Sequence, residues 1–159
     1  MNQTYLLIGG NMGNRQENLE IATRRIAATI GEIKQSSAIY ETEAWGLEEQ
    51  PAFLNQVLLV SSTLNAQQVL KQILNIEHDM GRERIQKFGP RIIDIDILFF
   101  NRDIIHEPGL NVPHPQLHLR RFTLKPLNDI APQFRHPELG KTISDLLSTC
   151  PDPLTVKKL

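Results

Sequence analysis

The most informative stretch of this sequence is Arg91-Ile92-Ile93-Asp94-Ile95-Asp96-Ile97-Leu98-Phe99-Phe100. Its dense β-branched and aromatic residues predict a strand over 92–100 that is buried on both faces, which argues against the edge of a sheet. Side chains two residues apart in a strand point the same way, so Asp94 and Asp96 share one face, with backbones roughly 6.6–7 Å apart. The same face is expected to carry Ile92, Leu98 and Phe100.

Two carboxylates on one partly buried face require a compensating positive charge. At an effective dielectric of about 20 they repel each other by about 2.4 kcal/mol, and burial adds to that penalty. Hard oxygen ligands of this kind suit Mg²⁺ that is held jointly with phosphate groups. The alternative is an edge strand whose acids merely face water. The apolar residues on both faces, and the basic segment that precedes the strand, favour the metal site.

That basic segment places four cationic side chains within ten residues, opposed only by Glu83: Arg82, Arg84, Lys87 and Arg91. Guanidinium groups match the geometry of phosphate oxygens and keep their charge at any relevant pH. Taken alone, the cluster is equally consistent with a solvated turn or with a nucleic-acid-binding loop. Directly before two same-face aspartates, it favours a polyphosphate–magnesium site.

The residues before this stretch predict a strand–helix–strand pattern that occurs twice. The first half has a strand over 4–8, a helix from an N-cap at Asn14 to a stop at Gly31, and a strand over 33–41. The second half has a strand over 53–62, a helix over 65–81, and the strand over 92–100. Two such halves predict a ferredoxin-like α+β sandwich, a mainly antiparallel sheet with helices on one face.

The remainder, 101–159, is interrupted by many prolines and has helix-like stretches near 116–128 and 142–149. It is expected to be a C-terminal extension wrapped on the sandwich rather than a second domain, so that 1–159 forms one domain.

In the strand over 53–62, alternation places Phe53 and Asn55 on one face. Phe53 offers a ring for stacking, and the Asn55 amide both donates and accepts hydrogen bonds.

The glycine-rich turn Gly9-Gly10-Asn11-Met12-Gly13-Asn14 lies between a predicted strand and a predicted helix. It fits neither the G-x-G-x-x-G fingerprint nor the Walker A pattern of nucleotide-binding loops. Its glycines are therefore expected to serve a tight turn, with no catalytic role.

Composition restricts the compartment and the partners. The 159 residues carry a net charge of −1, so neither a nucleic acid nor a membrane is an expected partner. Cys150 is the only cysteine, which excludes an intrachain disulfide and suits a reducing compartment. The chain shows no signal peptide and no apolar run near the roughly 20 residues of a membrane span. A cytoplasmic protein is expected.

The run from Lys87 to Leu98 resembles the signature of the 6-hydroxymethyl-7,8-dihydropterin pyrophosphokinase family of folate biosynthesis. That signature is a basic residue, a Gly-Pro-Arg turn, and Asp–aliphatic–Asp followed by aliphatic residues, and each constrained position is met. Further matches run in chain order along most of the sequence: Gly9 to Gly13, Tyr40-Glu41-Thr42, Gln50-Pro51, Phe53-Leu54-Asn55, Glu77, Gly81 to Arg84, Val112-Pro113-His114, Arg120 and Phe122.

The resemblance implies ATP- and Mg²⁺-dependent transfer of pyrophosphate from ATP to the hydroxymethyl group of 6-hydroxymethyl-7,8-dihydropterin, with AMP as the second product. It implies two Mg²⁺ ions between the triphosphate and Asp94 and Asp96, and catalytic roles for Arg82, Arg91 and both aspartates. The implied ATP-binding residues are Glu77, Arg82, Arg84, Arg91, His114 and Arg120. The pterin would contact Thr42, Trp45, Phe53, Asn55 and Phe122, with its ring stacked between Phe53 and Phe122.

The expected partners are these two small molecules, bound by a monomer. The segments 42–52 and 82–90 are polar and turn-rich, and are expected to close over the bound substrates with Phe88 at the tip of the second. Two alternatives stay open. One is a ferredoxin-like RNA-binding module, which would need a basic sheet face with exposed aromatic residues. The other is a different phosphotransferase on the same fold.

Overall fold

The computed structural model describes residues 1–43, 50–81 and 91–159. The elements, in chain order, are β1 Asn2–Gly10, α1 Arg15–Thr29, β2 Glu32–Ser36, β3 Tyr40–Thr42, β4 Phe53–Ser62, α2 Ala66–Asp79, β5 Asp94–Phe100, β6 Ile105–Glu107, β7 Leu110–Val112, a 3₁₀ helix Leu117–Leu119, α3 Arg121–Ile130, α4 Ile143–Ser148 and β8 Val156–Lys158. None of the described helices is long and apolar enough to cross a membrane.

The main sheet has the strand order β5-β1-β4-β3-β8, and β2 also pairs with β4. Every pairing among the described strands is antiparallel. The strand predicted over 33–41 is in fact two strands, β2 and β3, which pair with successive parts of β4. Because two βαβ units interleave in this order, the predicted ferredoxin-like α+β sandwich is confirmed.

Helices cover both faces of the sheet, whereas the sequence predicted helices on one face. On the first face, α1 and α2 pack on strand residues such as Leu6, Leu58 and Ile95. On the second face, α3 and α4 pack on Leu7 and Val57. The C-terminal extension therefore supplies a second helical layer, and its proline-rich sequence obscured this because α3 contains Pro126.

Strand β5 lies at the edge of the sheet, so the prediction of an interior strand is wrong. Among the described strands it pairs only with β1. Its outer edge is covered by other groups: the Glu77 carboxylate accepts the Ile95 N–H at 2.8 Å, and the His114 N–H donates to the Leu98 carbonyl at 3.0 Å. A strand can thus be apolar on both faces and still be an edge strand when side chains and loops satisfy its open side.

A shift in register also corrects one predicted neighbour of the two aspartates. In β5, Phe99 pairs with Tyr5 but Ile97 pairs with Leu6, which leaves Leu98 as the extra residue. The shift places Phe100 among the residues under α1 and α2 rather than on the face of Asp94 and Asp96. Leu98 packs on the α3 side, as expected for that face.

The helix ends follow the predicted signals, and α1 ends at Thr29 with Ile30 as its C-cap, just before Gly31. Asn14 caps α1, and Asn65 with Gln68 forms a reciprocal capping box on α2. Gly81 ends α2 with φ +83°, a left-handed conformation that favours glycine. Gly31 is required for another reason: a Cβ there would lie 2.1 Å from the carbonyl oxygen of Ser61 on β4.

Candidate active site

One row of paired residues crosses four strands where β1 ends and β4 and β5 begin. Tyr40 on β3 pairs with Asn55 on β4, Asn55 pairs with Gly9 on β1, and Gly9 pairs with Asp94 on β5. Residues paired in this way present their side chains to the same face of a sheet. The next row on that face contains Val57 and Leu7, which pack under α3. The site therefore lies on the face that the C-terminal layer covers.

Gly9 leaves a gap in the middle of this row. A Cβ at Gly9 would lie 2.2 Å from Oδ1 of Asn55 and 2.8 Å from the carbonyl oxygen of Leu54. The Asn55 amide consequently lies over the bare β1 backbone, on the side toward Asp94. Gly9 and Gly10 also end β1 within the sheet. The prediction that these glycines serve only a turn is thus wrong, since a glycine in a strand marks close approach.

The two aspartates share one face, as predicted. Asp94 pairs with Gly9 and Asp96 pairs with Leu7, in adjacent rows. Nη1 of Arg91 lies 3.5 Å from Oδ2 of Asp94, and both side chains are about three-quarters buried. The positive charge that the acids require is thus supplied in part by the first residue of the quoted stretch.

The donor set fits magnesium bound together with a polyphosphate. Within the described ranges, no group of three or more His, Cys, Asp or Glu side chains is arranged to hold a metal ion. An ion between Asp94 and Asp96 would therefore complete its coordination with phosphate oxygens and water, which is the usual arrangement for Mg²⁺.

His114 lies beside the start of the aspartate strand as an uncharged donor. Its Nδ1 accepts the Gln116 N–H at 3.1 Å, so a neutral ring carries its proton on Nε2. Burial lowers the pKa of His114 to about 4, with a further lowering by the charge of Arg120 that outweighs the opposite effect of Asp94. At neutral pH the ring can donate from Nε2 to a phosphate oxygen without adding a charge.

Arg120 and Phe122 lie at the start of α3. The Arg120 guanidinium carbon is 5.6 Å from the centre of the Phe122 ring, a cation–π distance. Phe122 packs partly buried against the residues under α3. Both therefore belong to the same face of the sheet as Asn55 and Asp94.

Thr42 and Phe53 pair with each other in the row beyond Asn55. The hydroxyl of Thr42 is buried and has no hydrogen-bond partner among the described residues. A buried hydroxyl in that state is penalised by about 1–3 kcal/mol. A polar ligand edge at this position would remove the penalty.

Two further side chains, those of Asn11 and Arg15, bind groups at the margins of the site. Asn11 is 1% exposed; its Nδ2 donates to Oε1 of Gln50 and to the Pro51 carbonyl, at 3.1 and 3.0 Å, and its Oδ1 accepts the Arg91 N–H at 2.9 Å. Arg15 donates to Glu41 at 2.7 Å and to the Ala52 carbonyl at 2.9 Å. An asparagine next to glycines is too common in turns to have identified the first of these contacts from sequence.

The remaining predicted residues are less informative. Four of them lie outside the described residues: Trp45, Arg82, Arg84 and Phe88. Most of the two segments that are expected to close over the substrates, 42–52 and 82–90, lies outside them as well. Glu77 is 4% exposed and accepts a backbone N–H of β5, so its described contact is with the sheet. Its proximity to a nucleotide stays a prediction.

Comparison with known proteins relates the chain to one enzyme family. A sequence model of the family described as 7,8-dihydro-6-hydroxymethylpterin-pyrophosphokinase (HPPK) matches residues 5–132. The 2-amino-4-hydroxy-6-hydroxymethyldihydropteridine pyrophosphokinase of Aquifex aeolicus is 39% identical over 145 residues, which cover 91% of this chain and 90% of that protein.

Other relatives are much longer. The folic acid synthesis protein FOL1 of Dictyostelium discoideum is 38% identical over 151 residues, which cover 95% of this chain but only 23% of that protein. A crystal structure of wild-type Plasmodium falciparum HPPK-DHPS superposes with a TM-score of 0.76 at 20% identity, covering 92% of this chain and 44% of that chain. At that identity the superposition establishes the fold alone.

Proposed function

The chain belongs to the 7,8-dihydro-6-hydroxymethylpterin-pyrophosphokinase family, and from that membership we propose its reaction. The protein transfers the pyrophosphoryl group of ATP to the hydroxymethyl group of 6-hydroxymethyl-7,8-dihydropterin, a step of folate biosynthesis. The observation that carries the proposal is the row Tyr40–Asn55–Gly9–Asp94, which sets an amide and a carboxylate on either side of open backbone.

The pterin occupies the β3–β4 side of this row. The Asn55 amide offers a donor and an acceptor to the polar edge of the pterin, and the buried Thr42 hydroxyl offers a third polar group. Phe53 and Phe122 stack on the two sides of the ring, and Trp45 contacts it as well. A flat, polar-edged heterocycle suits such a combination of aromatic and amide groups.

The triphosphate of ATP occupies the β5 side. Asp94 and Asp96 would hold two magnesium ions together with phosphate oxygens. When bound there, Mg²⁺ neutralises phosphate charge and draws electron density from the transferring group. Phosphate oxygens also accept hydrogen bonds from His114 and from four guanidinium groups, those of Arg82, Arg84, Arg91 and Arg120. Glu77 lies near the adenosine part of ATP.

At the β-phosphorus one bond forms and one breaks, and the hydroxymethyl O–H bond breaks as well. The hydroxymethyl oxygen forms a bond to the β-phosphorus of ATP, and the bond from that phosphorus to the oxygen bridging to the α-phosphorus breaks. AMP leaves with the bridging oxygen, and the hydroxymethyl proton is released to solvent. The cationic residues stabilise charge that builds on the phosphate oxygens, which accelerates the reaction to the extent that they bind the transition state more strongly than ATP.

The test is a product analysis of purified protein with ATP, Mg²⁺ and 6-hydroxymethyl-7,8-dihydropterin. The expected products are AMP and the pterin pyrophosphate in equal amounts, identified by chromatography and ³¹P spectroscopy. ADP with a pterin monophosphate would instead identify a phosphotransferase on the same fold.

A second experiment counts the metal ions. Mn²⁺ is titrated into the protein in the presence of a non-hydrolysable ATP analogue and pterin, and we expect two bound ions per chain. The protein is expected to be monomeric and to form a single domain.

A further inference from the structure

We propose that Tyr40 and Asp129 are positioning residues that set the separation between the two walls of the pterin site. This inference rests on the proposed function, because the walls are the residues assigned above to the pterin. One wall lies on β3 and β4 and includes Thr42 and Asn55. The other wall is Phe122 at the start of α3.

The contact between them is short and partly buried, with Tyr40 buried and Asp129 exposed. The Tyr40 hydroxyl donates to Oδ1 of Asp129 at 2.8 Å, and the Ala38 N–H donates to Oδ2 at 3.2 Å. The Tyr40 residue is 5% exposed. Burial, with the Asp129 carboxylate beside it, raises the pKa of Tyr40 to about 12, so the hydroxyl keeps its proton and its role as donor. Both oxygens of one carboxylate on α3 are thus bound to groups at and just before β3.

Each partner belongs to an element that carries part of the pterin site. Tyr40 pairs with Asn55 and stands two residues before Thr42, on the same face of the three-residue strand β3. Asp129 is on α3, which also carries Phe122. Their separation of seven residues is about two helical turns, or roughly 10.5 Å along the axis. A shift of the helix at Asp129 is therefore transmitted to the ring of Phe122.

A second tie holds the other end of the same helix. The Arg121 N–H donates to Oδ2 of Asp152 at 3.0 Å, and the Arg121 guanidinium donates to the Asp152 carbonyl. The chain then runs from Asp152 into β8, which pairs with β3. Helix α3 and strand β3 are thus joined at both ends of the helix, and the Tyr40 hydroxyl can be removed without disturbing the second tie.

Packing alone would hold these layers together but would not fix their spacing as closely. Apolar contacts between α3 and the sheet are non-directional, and a small slide changes their energy little. A hydrogen bond to a carboxylate is shorter and strongly dependent on distance and angle. The effect of the Tyr40–Asp129 contact is thus expected in the fit of the pterin between its walls, and much less in ATP binding at β5.

The experiment compares Tyr40→Phe with Tyr5→Phe. Tyr5 is a matched control, since it lies on the same sheet face and packs on the same cluster through Phe99 and Phe134, away from the site. For Tyr40→Phe we expect the dissociation constant and KM for the pterin to rise roughly tenfold. The kcat and the KM for ATP should change less than about twofold, and Tyr5→Phe should match the wild type in all of these.

A second variant separates positioning from general loss of stability. Asp129→Asn keeps an acceptor for the Tyr40 hydroxyl but not the charge, and should raise the pterin KM by less than Tyr40→Phe does. An active wild type together with unchanged pterin affinity in Tyr40→Phe would overturn the positioning role alone. Equal losses in Tyr40→Phe and Tyr5→Phe, or equal effects on both substrates, would overturn it too. A wild type that forms no AMP would instead contradict the proposed function, and the inference with it.

Discussion

The two faces of the central sheet are built from the same strands but serve different ends. The face under α1 and α2 is mainly apolar, and its core includes Leu6 and Ile8 of β1 and Ile95 and Ile97 of β5. The face under α3 and α4 is apolar only over part of its area and ends in the polar row of Asn55 and Asp94. Adjacent residues of one strand therefore have different roles, because their side chains point to opposite faces. Side chains under α1 and α2 stabilise the fold, whereas those at the end of the other face form the proposed active site.

The largest expected effect comes from two neighbours in β5 that face opposite sides. Asp96→Ala should lower kcat by at least about 100-fold, because a metal ligand is lost, while thermal unfolding changes little as like-charge repulsion is relieved. Ile95→Ala should lower the free energy of unfolding by about 2–5 kcal/mol through a buried cavity, yet leave the folded fraction active. Denaturant unfolding and AMP formation measure the two. Near-normal turnover of Asp96→Ala at limiting Mg²⁺ would remove the metal role.

The gap at Gly9 sharpens the comparison within a single row. Gly9→Ala should displace the Asn55 amide, since the new Cβ would lie 2.2 Å from its Oδ1, and should weaken pterin binding by roughly 30-fold. The control is Gly140→Ala, where φ is +69° and, among the described residues other than its chain neighbours, no heavy atom lies within 4 Å of the new Cβ. Backbone strain there should reduce stability by about 1 kcal/mol without affecting the pterin. Calorimetric titration of both variants decides between displacement and strain.

The two ends of β1 give a third test, because each has an asparagine that bridges two segments. Asn2 bonds to the Leu64 carbonyl and to Asn101, far from the site, much as Asn11 bonds to Pro51 and Arg91. Asn11→Ala should reduce kcat/KM by roughly five- to tenfold, since the Arg91 N–H loses the side-chain acceptor that helps to place this residue. Asn2→Ala should alter only stability. Similar steady-state constants for the two variants would show that Asn11 is structural as well.

The smallest effect concerns His114 and pH. Its pKa is lowered to about 4 in the folded chain, against an ordinary value near 6.5. Below pH 6.5 the unfolded chain takes up a proton that the folded chain takes up only near pH 4, so folding stability falls across this window as pH falls. Between pH 7 and 5.5 the wild type should lose roughly 1 kcal/mol more than His114→Asn. Urea unfolding at the two pH values measures this difference, and parallel losses would contradict the shift.

Local patterns predicted much of the fold and part of the site. The caps at Asn14 and Asn65, the bounds of β4 and the shared face of Asp94 and Asp96 depend on neighbours a few residues away, and all are confirmed. The open side of the edge strand β5 is satisfied instead by a more distant residue, Glu77, which lies 18 positions before Ile95 and accepts its N–H.

The features that sequence did not reveal are irregular or distant. The extra residue Leu98 in β5 is a local break in alternation, and it moved Phe100 to the other face. The close approach at Gly9 and the contacts of Asn11 arise only when separate strands come together. The periodicity of a sequence does not predict such contacts, because it gives only the face on which each side chain of one strand lies.

The pairing of β1 with β5 also has a consequence for the order in which the protein acquires its site during synthesis. The Thr4 hydroxyl bonds to the Phe99 carbonyl across 95 positions, and Asn11 meets Arg91 across 80. Contacts of such high sequence separation close late, since the entropy of a long loop must be overcome before they form. A nascent chain that has not yet released β5 lacks both the strand that pairs with Gly9 and the carboxylates of Asp94 and Asp96. Substrate recognition is therefore acquired late in folding.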